Sequence, residues 1–122
     1  MDVLIVDDSR TMRMMVKRAL RQAGIDAGEA REAGDGREAL TQIQARMPDL
    51  ILSDWNMPDM DGLQLLQVVR LTNPRVPFGF ITSQANEESR LAAVSAGANF
   101  LIGKPFTPEV LRDAVADVLR GR

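Results

Sequence analysis

Carboxylate side chains follow two of the most apolar segments of this sequence. Asp7 and Asp8 come directly after the apolar run at residues 3–6, and Asp54 follows a second run at residues 50–53. Short runs of Val, Ile and Leu that are bounded by polar residues are typical of buried strands. The sequence therefore predicts two strands that each present carboxylates at the carboxyl end.

Two further apolar runs end in side chains that can donate to an anion. Residues 78–81 are followed by Thr82, and residues 99–103 are followed by Lys104. If the four predicted strands are parallel neighbours, three carboxylates, a hydroxyl and an ammonium group share one edge of the sheet. In open α/β sheets, ligands bind at this edge.

Three carboxylates at one edge repel one another and favour the binding of a cation. Two unit charges about 4 Å apart repel by roughly 4 kcal/mol at an effective dielectric constant near 20. An all-oxygen site with few protein ligands suits Mg²⁺ or Mn²⁺ better than Zn²⁺. Beside such a cation, an aspartate can attack a phosphoryl group and form an acyl phosphate. Lys104 and Thr82 would then donate to phosphate oxygens.

Each of these residues also has a plain structural explanation. An aspartate at the end of a strand is usually a turn or capping residue. A lysine before a proline, such as Lys104, is usually just solvated. Five such residues at four strand ends are harder to explain as independent caps. We therefore interpret them as one site.

The composition excludes several other kinds of chemistry and of partner. The length of 122 residues predicts a single domain over residues 1–122. The absence of Cys and His excludes disulfides, thiol catalysis and histidine ligands. Fifteen Lys and Arg against 17 Asp and Glu leave no basic excess, so we expect no nucleic-acid partner. The first residues resemble neither a signal peptide nor a membrane segment, so we expect a cytoplasmic protein without membrane insertion.

The order of the elements predicts an α/β fold. Apolar runs alternate with helical patterns, which is typical of βαβ units and of a parallel sheet with helices on both faces. The pattern comprises five such units. The second strand, near residues 30–33, has little β-propensity, and we expect it at an edge of the five-stranded sheet.

Capping residues and apolar spacing predict five helices. The first helix begins after Ser9 and ends at Gly24, and the second begins at Asp35 and Gly36 and ends before Pro48. The third begins at Gly62 and ends near Asn73, and the fourth ends at Gly97. The fifth has Thr107 as its N-cap, before Pro108. The residues expected to face the core are Met12, Met15, Val16, Ala19, Leu20, Ala23, Ala39, Leu40, Ile43, Leu63, Leu66, Val69, Leu91, Val94, Val110, Leu111, Ala114, Val115, Val118 and Leu119, with Val68 flanking the third helix's set.

These motifs together resemble the receiver domain of response regulators. The resemblance covers the whole chain and is most specific in the segment 54–62. It implies a flavodoxin-like (βα)5 fold with the strand order 2-1-3-4-5. The motifs that carry it are Asp7-Asp8, the segment from Asp54 to Gly62, Thr82, and the segment from Lys104 to Phe106.

The resemblance implies a phosphorylation-dependent signalling switch of a two-component system rather than an enzyme. Asp54 would accept the phosphoryl group from a histidine kinase. The side chains of Asp8 and Asp54 and the backbone carbonyl of Asn56 would bind Mg²⁺, and Asp7 would assist through water.

The family also implies roles at the other two strand ends. Thr82 and Lys104 would contact the phosphoryl group, and the peptide bond between Lys104 and Pro105 would be cis. The chain ends with the fifth helix at Arg122, so we expect its output to come from binding a partner. The resemblance is greatest to members that act in chemotaxis, which implies a downstream target such as a flagellar motor component. In the family, the fourth helix, fifth strand and fifth helix usually form the binding surface.

One position departs from the family pattern. Receivers of this kind usually carry Tyr or Phe three residues before the lysine, where this chain has Leu101. Phe100 is no simple replacement, because adjacent strand residues point to opposite faces. We therefore expect the coupled movement of Thr82 and an aromatic ring to differ here, whereas the phosphorylation chemistry is unaffected.

Three smaller questions stay open in the sequence alone. Trp55 follows the predicted acceptor, either as a partly exposed residue at the rim or as an apolar residue packed over a neighbouring helix. Gly79 and Gly103 lie inside predicted strands, where a glycine permits either close packing or a bulge.

Two other functions use related chemistry. A Mg²⁺-dependent phosphatase of the haloacid-dehalogenase type also forms an aspartyl phosphate, but that family places an acidic residue two positions after the nucleophile, where this chain has Asn56. An amide cannot transfer the proton. A flavin or nucleotide binder would need a phosphate-binding loop after the first strand, where Asp7 and Asp8 would repel phosphate.

Overall fold

Five strands alternate with five helices in the computed structural model, which describes residues 1–121. All ten predicted elements are present in the predicted order. Their bounds are β1 (Val3–Val6), α1 (Arg10–Gln22), β2 (Arg31–Ala33), α2 (Gly36–Ala45), β3 (Leu50–Ser53), α3 (Gly62–Thr72), β4 (Phe78–Thr82), α4 (Glu87–Ala96), β5 (Phe100–Gly103) and α5 (Pro108–Arg120).

The strands form one parallel sheet in the order β2-β1-β3-β4-β5. This confirms the predicted α/β class and the flavodoxin-like topology. Strand β2 is three residues long and lies at an edge, as its weak β-propensity indicates. In the register, Val6 lies opposite Ser53, and Thr82 lies opposite Gly103. The residues that follow these strands therefore meet at the same edge.

The core consists of two apolar clusters, one on each face of the sheet. Neighbouring residues of a strand point to opposite faces, so Leu4 belongs to one cluster and Ile5 to the other. Strands β1, β3 and β4 are buried along their whole length. They are covered by helices on both faces, which explains why they appear in the sequence as nearly continuous apolar runs.

Side-chain caps fix where the helices begin after the strand ends. Ser9, which comes directly after the acidic pair that follows β1, caps α1: its hydroxyl accepts from the backbone N–H of Met12 at 3.2 Å. Thr107 caps α5 in the same way before Pro108. Each cap turns the chain at the carboxyl edge, so the loops that carry the polar residues are short.

Four residues predicted to face the core are exposed instead. Met15 is 50%, Leu91 62%, Val94 69% and Val110 47% exposed. The prediction for these positions was wrong. Helix α4, which carries two of them, packs with its small residues, and its buried residues are Ser89 and Ala93.

Helix α3 is rotated relative to the prediction. Leu65 is fully buried, whereas Leu63, which we expected in the core, is only partly buried. Leu66 and Val69 are buried as predicted. Since every second or third residue of α3 is apolar, its sequence fits more than one buried face.

The open questions about Trp55 and the two glycines are answered by packing. A Cβ atom at Gly79 would lie 2.1 Å from the ring of Phe100, so this glycine makes room for that ring. A Cβ atom at Gly103 would lie 3.0 Å from the Cβ of Ala85. The ring of Trp55 lies 4.8 Å from that of Phe80, centroid to centroid, and is partly buried.

Candidate functional site

The three predicted aspartates form one cluster at the carboxyl edge of the sheet. Asp7, Asp8 and Asp54 each offer a carboxylate oxygen, and these oxygens lie within 4.8 Å of one another. Asp7 is buried, Asp54 is partly buried and Asp8 is exposed. The cluster thus extends from the protein interior to the solvent.

Lys104 lies between two of these carboxylates. Its Nζ atom is 3.0 Å from Oδ2 of Asp7 and 3.3 Å from Oδ2 of Asp54. The backbone N–H of Lys104 donates to the carbonyl of Thr82 at 2.8 Å, which extends the pairing of β4 and β5 to this residue. The peptide bond between Lys104 and Pro105 is cis, as the resemblance implied.

The backbone around Asp54 is fixed on both sides. Its N–H donates to the carbonyl of Val6 at 2.8 Å, and the N–H of Trp55 donates to its Oδ1 atom at 2.7 Å. A Cβ atom at Gly62 would lie 2.1 Å from the Asp54 carbonyl oxygen, so only glycine fits at the start of α3. One carboxylate oxygen of Asp54 is thus held by its own loop, while the other lies near Lys104.

The surroundings of Asp54 disfavour its negative charge. Burial raises the pKa of its carboxyl group, the Lys104 ammonium opposes this change, and the charge of Asp7 adds to it. The net effect is a pKa above the usual range for aspartate. A further positive charge at the cluster would relieve this electrostatic cost.

Thr82 and Asn56 differ in their exposure. Thr82 is 1% exposed at the end of β4, and its Oγ1 atom accepts from the N–H of Gln84 at 3.1 Å. Asn56 is exposed in the loop between β3 and α3, two residues after Asp54. The position of Thr82 is therefore fixed by the sheet, whereas the position of Asn56 is determined by a surface loop.

Sequence reasoning missed a second set of charged residues beside the cluster. Arg13 donates from Nη1 to the carbonyl oxygen of Asp7 at 2.6 Å and from Nε to Glu32 at 2.8 Å. Lys17 contacts the other carboxylate oxygen of Glu32 at 2.8 Å. The available signal was position: Arg13 lies four residues after the cap Ser9, one turn into the helix that follows the acidic pair.

Fold and site together define the class of protein. A doubly wound α/β domain whose carboxyl edge joins three aspartates to a lysine has the arrangement of a response regulator receiver domain. The chain belongs to this family, because the family described as response regulator receiver domain matches residues 3–116. Receiver domains of this type are signalling switches of two-component systems and not classical enzymes.

Relatives from chemotaxis match nearly the whole chain. Chemotaxis protein CheY1 of Helicobacter pylori J99 is 39% identical over 122 residues, covering 98% of this chain and 97% of that protein. Chemotaxis protein CheY of Pseudomonas aeruginosa is 37% identical, covering 97% and 95%.

Solved structures show the same fold. CheY4 of Vibrio cholerae has a TM-score of 0.83 at 37% identity, covering 96% of this chain and 97% of that one. The receiver domain of NtrX from Brucella abortus has a TM-score of 0.88 at 32% identity, covering 99% and 100%. No helix within residues 1–121 combines the length and apolar character needed to cross a membrane.

Proposed function

We propose that this protein is a phosphorylation switch of chemotaxis signalling in the cytoplasm, formed by a single receiver domain over residues 1–122. Asp54 accepts a phosphoryl group from a histidine kinase, and the modified protein changes its affinity for a downstream target such as a flagellar motor component. The observation that carries this proposal is the position of Asp54. Its carboxylate lies 3.3 Å from the Lys104 ammonium and within 4.8 Å of the carboxylates of two further aspartates, in a chain similar to CheY proteins.

The site residues have distinct roles in this reaction. An Asp54 carboxylate oxygen forms a bond to phosphorus, while the bond from phosphorus to the donor's imidazole nitrogen breaks and its electron pair returns to that nitrogen. The Lys104 ammonium, 3.3 Å from Oδ2 of Asp54, donates to an oxygen of the transferred group. The hydroxyl of Thr82, at the end of the adjacent strand, is a second donor.

The acidic cluster fits a hard divalent cation. Asp8 and Asp54 would supply carboxylate oxygens and Asn56 its backbone carbonyl, while Asp7, whose carboxylate oxygen lies within 4.8 Å of theirs, would assist through water. These donors match the ligand preference of Mg²⁺, which Mn²⁺ shares. When bound, the ion would offset the charge of the acceptor and of the incoming phosphoryl group.

The surface of α4, β5 and α5 is the proposed contact for the downstream partner. The apolar side chains of Leu91 and Val94 on α4 and Val110 on α5 are exposed. Arg90 lines two small cavities beside β5, of which one includes Val94 and the other Val110. An exposed apolar surface of this kind suits a protein partner.

Phosphotransfer tests the proposal directly. Wild-type protein treated with acetyl phosphate and Mg²⁺ should gain the mass of one phosphoryl group in intact-mass analysis. Asp54→Asn should keep the fold and gain no mass, because the amide has the same shape but is no nucleophile. Equal mass gain in both proteins would contradict the assignment of Asp54.

A further inference from the structure

A charged side chain from α1 holds the loop that carries Asp7 and Asp8. Arg13 donates from Nη1 to the Asp7 carbonyl oxygen at 2.6 Å and from Nε to Oε1 of Glu32 at 2.8 Å. Its side chain is only 17% exposed. The guanidinium group therefore joins the edge strand β2 to the loop between β1 and α1.

Glu32 is the anion that holds the Arg13 side chain in place. Its second carboxylate oxygen contacts Nζ of Lys17 at 2.8 Å. The hydrogen bonds from Lys17 and then from Arg13 hold the pKa of the Glu32 carboxyl below its usual range. Glu32 therefore stays ionised at neutral pH and orients the planar guanidinium fork.

With the contact from Arg13, every polar atom of Asp7 has a hydrogen-bond partner. The N–H of Asp7 donates to the carbonyl of Ala33 at 3.0 Å. Its Oδ1 atom accepts from the N–H of Ser9 at 2.9 Å, and its Oδ2 atom accepts from Lys104 at 3.0 Å. The carbonyl oxygen, held by Arg13, is the remaining polar atom of the residue.

The direction of the Asp7 carbonyl group determines how the chain enters Asp8. This carbonyl belongs to the peptide unit that joins the two residues, and a peptide unit is planar. A hydrogen bond that fixes the carbonyl therefore also fixes the N–H and Cα atoms of Asp8 in the same plane. The Asp8 side chain is exposed and its carboxylate oxygen lies within 4.8 Å of that of Asp54, so the position of the Asp8 backbone determines whether this carboxylate reaches the cluster.

We propose that Arg13 is a positioning residue for the metal site, which it serves by fixing the peptide unit between Asp7 and Asp8 while Glu32 holds it in place. The inference rests on the proposed Mg²⁺-assisted phosphorylation and adds a residue that acts through the ligands. Groups that orient metal ligands affect metal affinity although they never touch the ion.

The direction in which Mg²⁺ affinity changes when Arg13 is replaced separates a positioning role from a simple effect of its charge. Arg13 is a cation close to a cation site, so removing its charge alone would tighten Mg²⁺ binding. A positioning role predicts the opposite, because Asp8 would lose its fixed direction.

Lys17 provides a matched control on the same helix. Lys17→Met and Arg13→Met each remove one cation from Glu32, but only Arg13 reaches Asp7. Mg²⁺ affinity is measured by calorimetry and by the fluorescence of Trp55, the single tryptophan of the chain, whose backbone N–H donates to Oδ1 of Asp54. Arg13→Met should weaken Mg²⁺ binding roughly tenfold, and Lys17→Met should bind as wild type does.

Phosphorylation rates with acetyl phosphate give a second readout. Arg13→Met should need more Mg²⁺ for the half-maximal rate and reach a rate close to that of wild type at saturating Mg²⁺. Arg13→Lys keeps the charge without the fork and should behave like Arg13→Met. If Arg13→Met does not fold, Arg13→Lys carries the test, because it keeps the charge and loses only the planar fork.

Unchanged or tighter Mg²⁺ binding in the Arg13 variants would overturn this inference, as would an equal loss in Lys17→Met. In each of these cases, a wild-type protein that binds Mg²⁺ and gains phosphate leaves the proposed function intact. A wild-type protein that does neither overturns the proposed function itself.

Discussion

Leu101 occupies the position at which receivers of this family usually carry an aromatic ring. It is 8% exposed in β5 and belongs to the cluster that contains Phe80 and Ala93. Its carbonyl oxygen accepts from Nη1 of Arg90 at 3.0 Å, which ties β5 to α4. A cavity of about 260 Å³ that Leu101 lines lies beside this contact. This pocket therefore lies between Leu101 and the helix proposed to bind the partner.

Replacing Leu101 by Tyr should strengthen the coupling between Asp54 and the partner surface. Leucine can follow a movement of Thr82 only by changing its rotamer, whereas a ring can move into vacated space. Couplings of this kind are typically about 1 to 3 kcal/mol, and we expect the wild type near the low end. The measurement is partner affinity with and without beryllofluoride for both proteins, and Asp54 phosphorylation should change little. An unchanged affinity ratio would show that position 101 carries no coupling.

Individual site residues differ in how far the sequence predicts them. Asp7, Asp54 and Lys104 were predicted to meet because each follows a buried strand, and parallel strands end at one edge. The contact between Arg13 and Glu32 was not predictable in this way. The two residues are 19 positions apart, and their meeting depends on how far the side chains of α1 reach toward the edge strand.

At the scale of elements, the sequence predicted where strands and helices begin and end better than it predicted which face of each helix is buried. Strands β1, β3 and β4 are buried along their whole length, so their composition alone reveals them. Helix α4 shows the limit. Its large apolar residues Leu91 and Val94 face solvent, while Ala93 packs inward and the Ser89 hydroxyl donates to the carbonyl of Gln84 at 2.6 Å. Apolar periodicity cannot recognise a helix that packs through small residues.

The stability of variants should follow the observed helix faces. Leu91→Ala removes an exposed side chain from α4 and should change the free energy of unfolding by less than about 0.5 kcal/mol. Leu65→Ala leaves a cavity beneath α3, where the side chain is fully buried, and should cost about 2–5 kcal/mol. Urea unfolding of both variants measures the two values. Equal losses would contradict the orientation of α4.

At the scale of the whole molecule, charged networks at two ends of the sheet respond differently to pH. At the amino edge, burial alone would raise the pKa of Asp2, but hydrogen bonds from Arg31 and Arg46 outweigh it and lower the pKa. At the carboxyl edge, burial raises the pKa of Asp54. The amino edge is therefore stabilised by ionisation of its carboxylate, and the carboxyl edge is destabilised by it.

The pH dependence of Asp54→Asn should reveal this cost. Because the folded state raises the pKa of Asp54, its contribution to stability is full below the usual aspartate value of about 4 and is lost as the pH rises through the raised pKa. The amide does not ionise. In the absence of metal, the melting temperature of Asp54→Asn relative to wild type should therefore increase from about pH 3 to about pH 8. The exposed Asp113→Asn is the control, and a constant difference for Asp54→Asn would contradict the prediction.

Divalent metal should stabilise the whole fold through the same cluster. A ligand that binds only the folded state contributes about 2.7 kcal/mol at a concentration 100 times its dissociation constant, so Mg²⁺ should raise the melting temperature of wild type. Asp8→Ala removes one of three clustered charges. Without metal this variant should melt above wild type, and its response to Mg²⁺ should be much smaller.

Asp113→Ala tests whether this response is specific to the cluster. Asp113 is a carboxylate on α5 whose side chain is 72% exposed, and its partner Arg112 lies on the same helix. The variant therefore loses the same net charge as Asp8→Ala and should respond to Mg²⁺ as wild type does. Thermal unfolding in EDTA and in excess Mg²⁺ compares all three proteins. Equal stabilisation of Asp8→Ala and wild type would mean that the ion binds elsewhere and that the acidic cluster is no metal site.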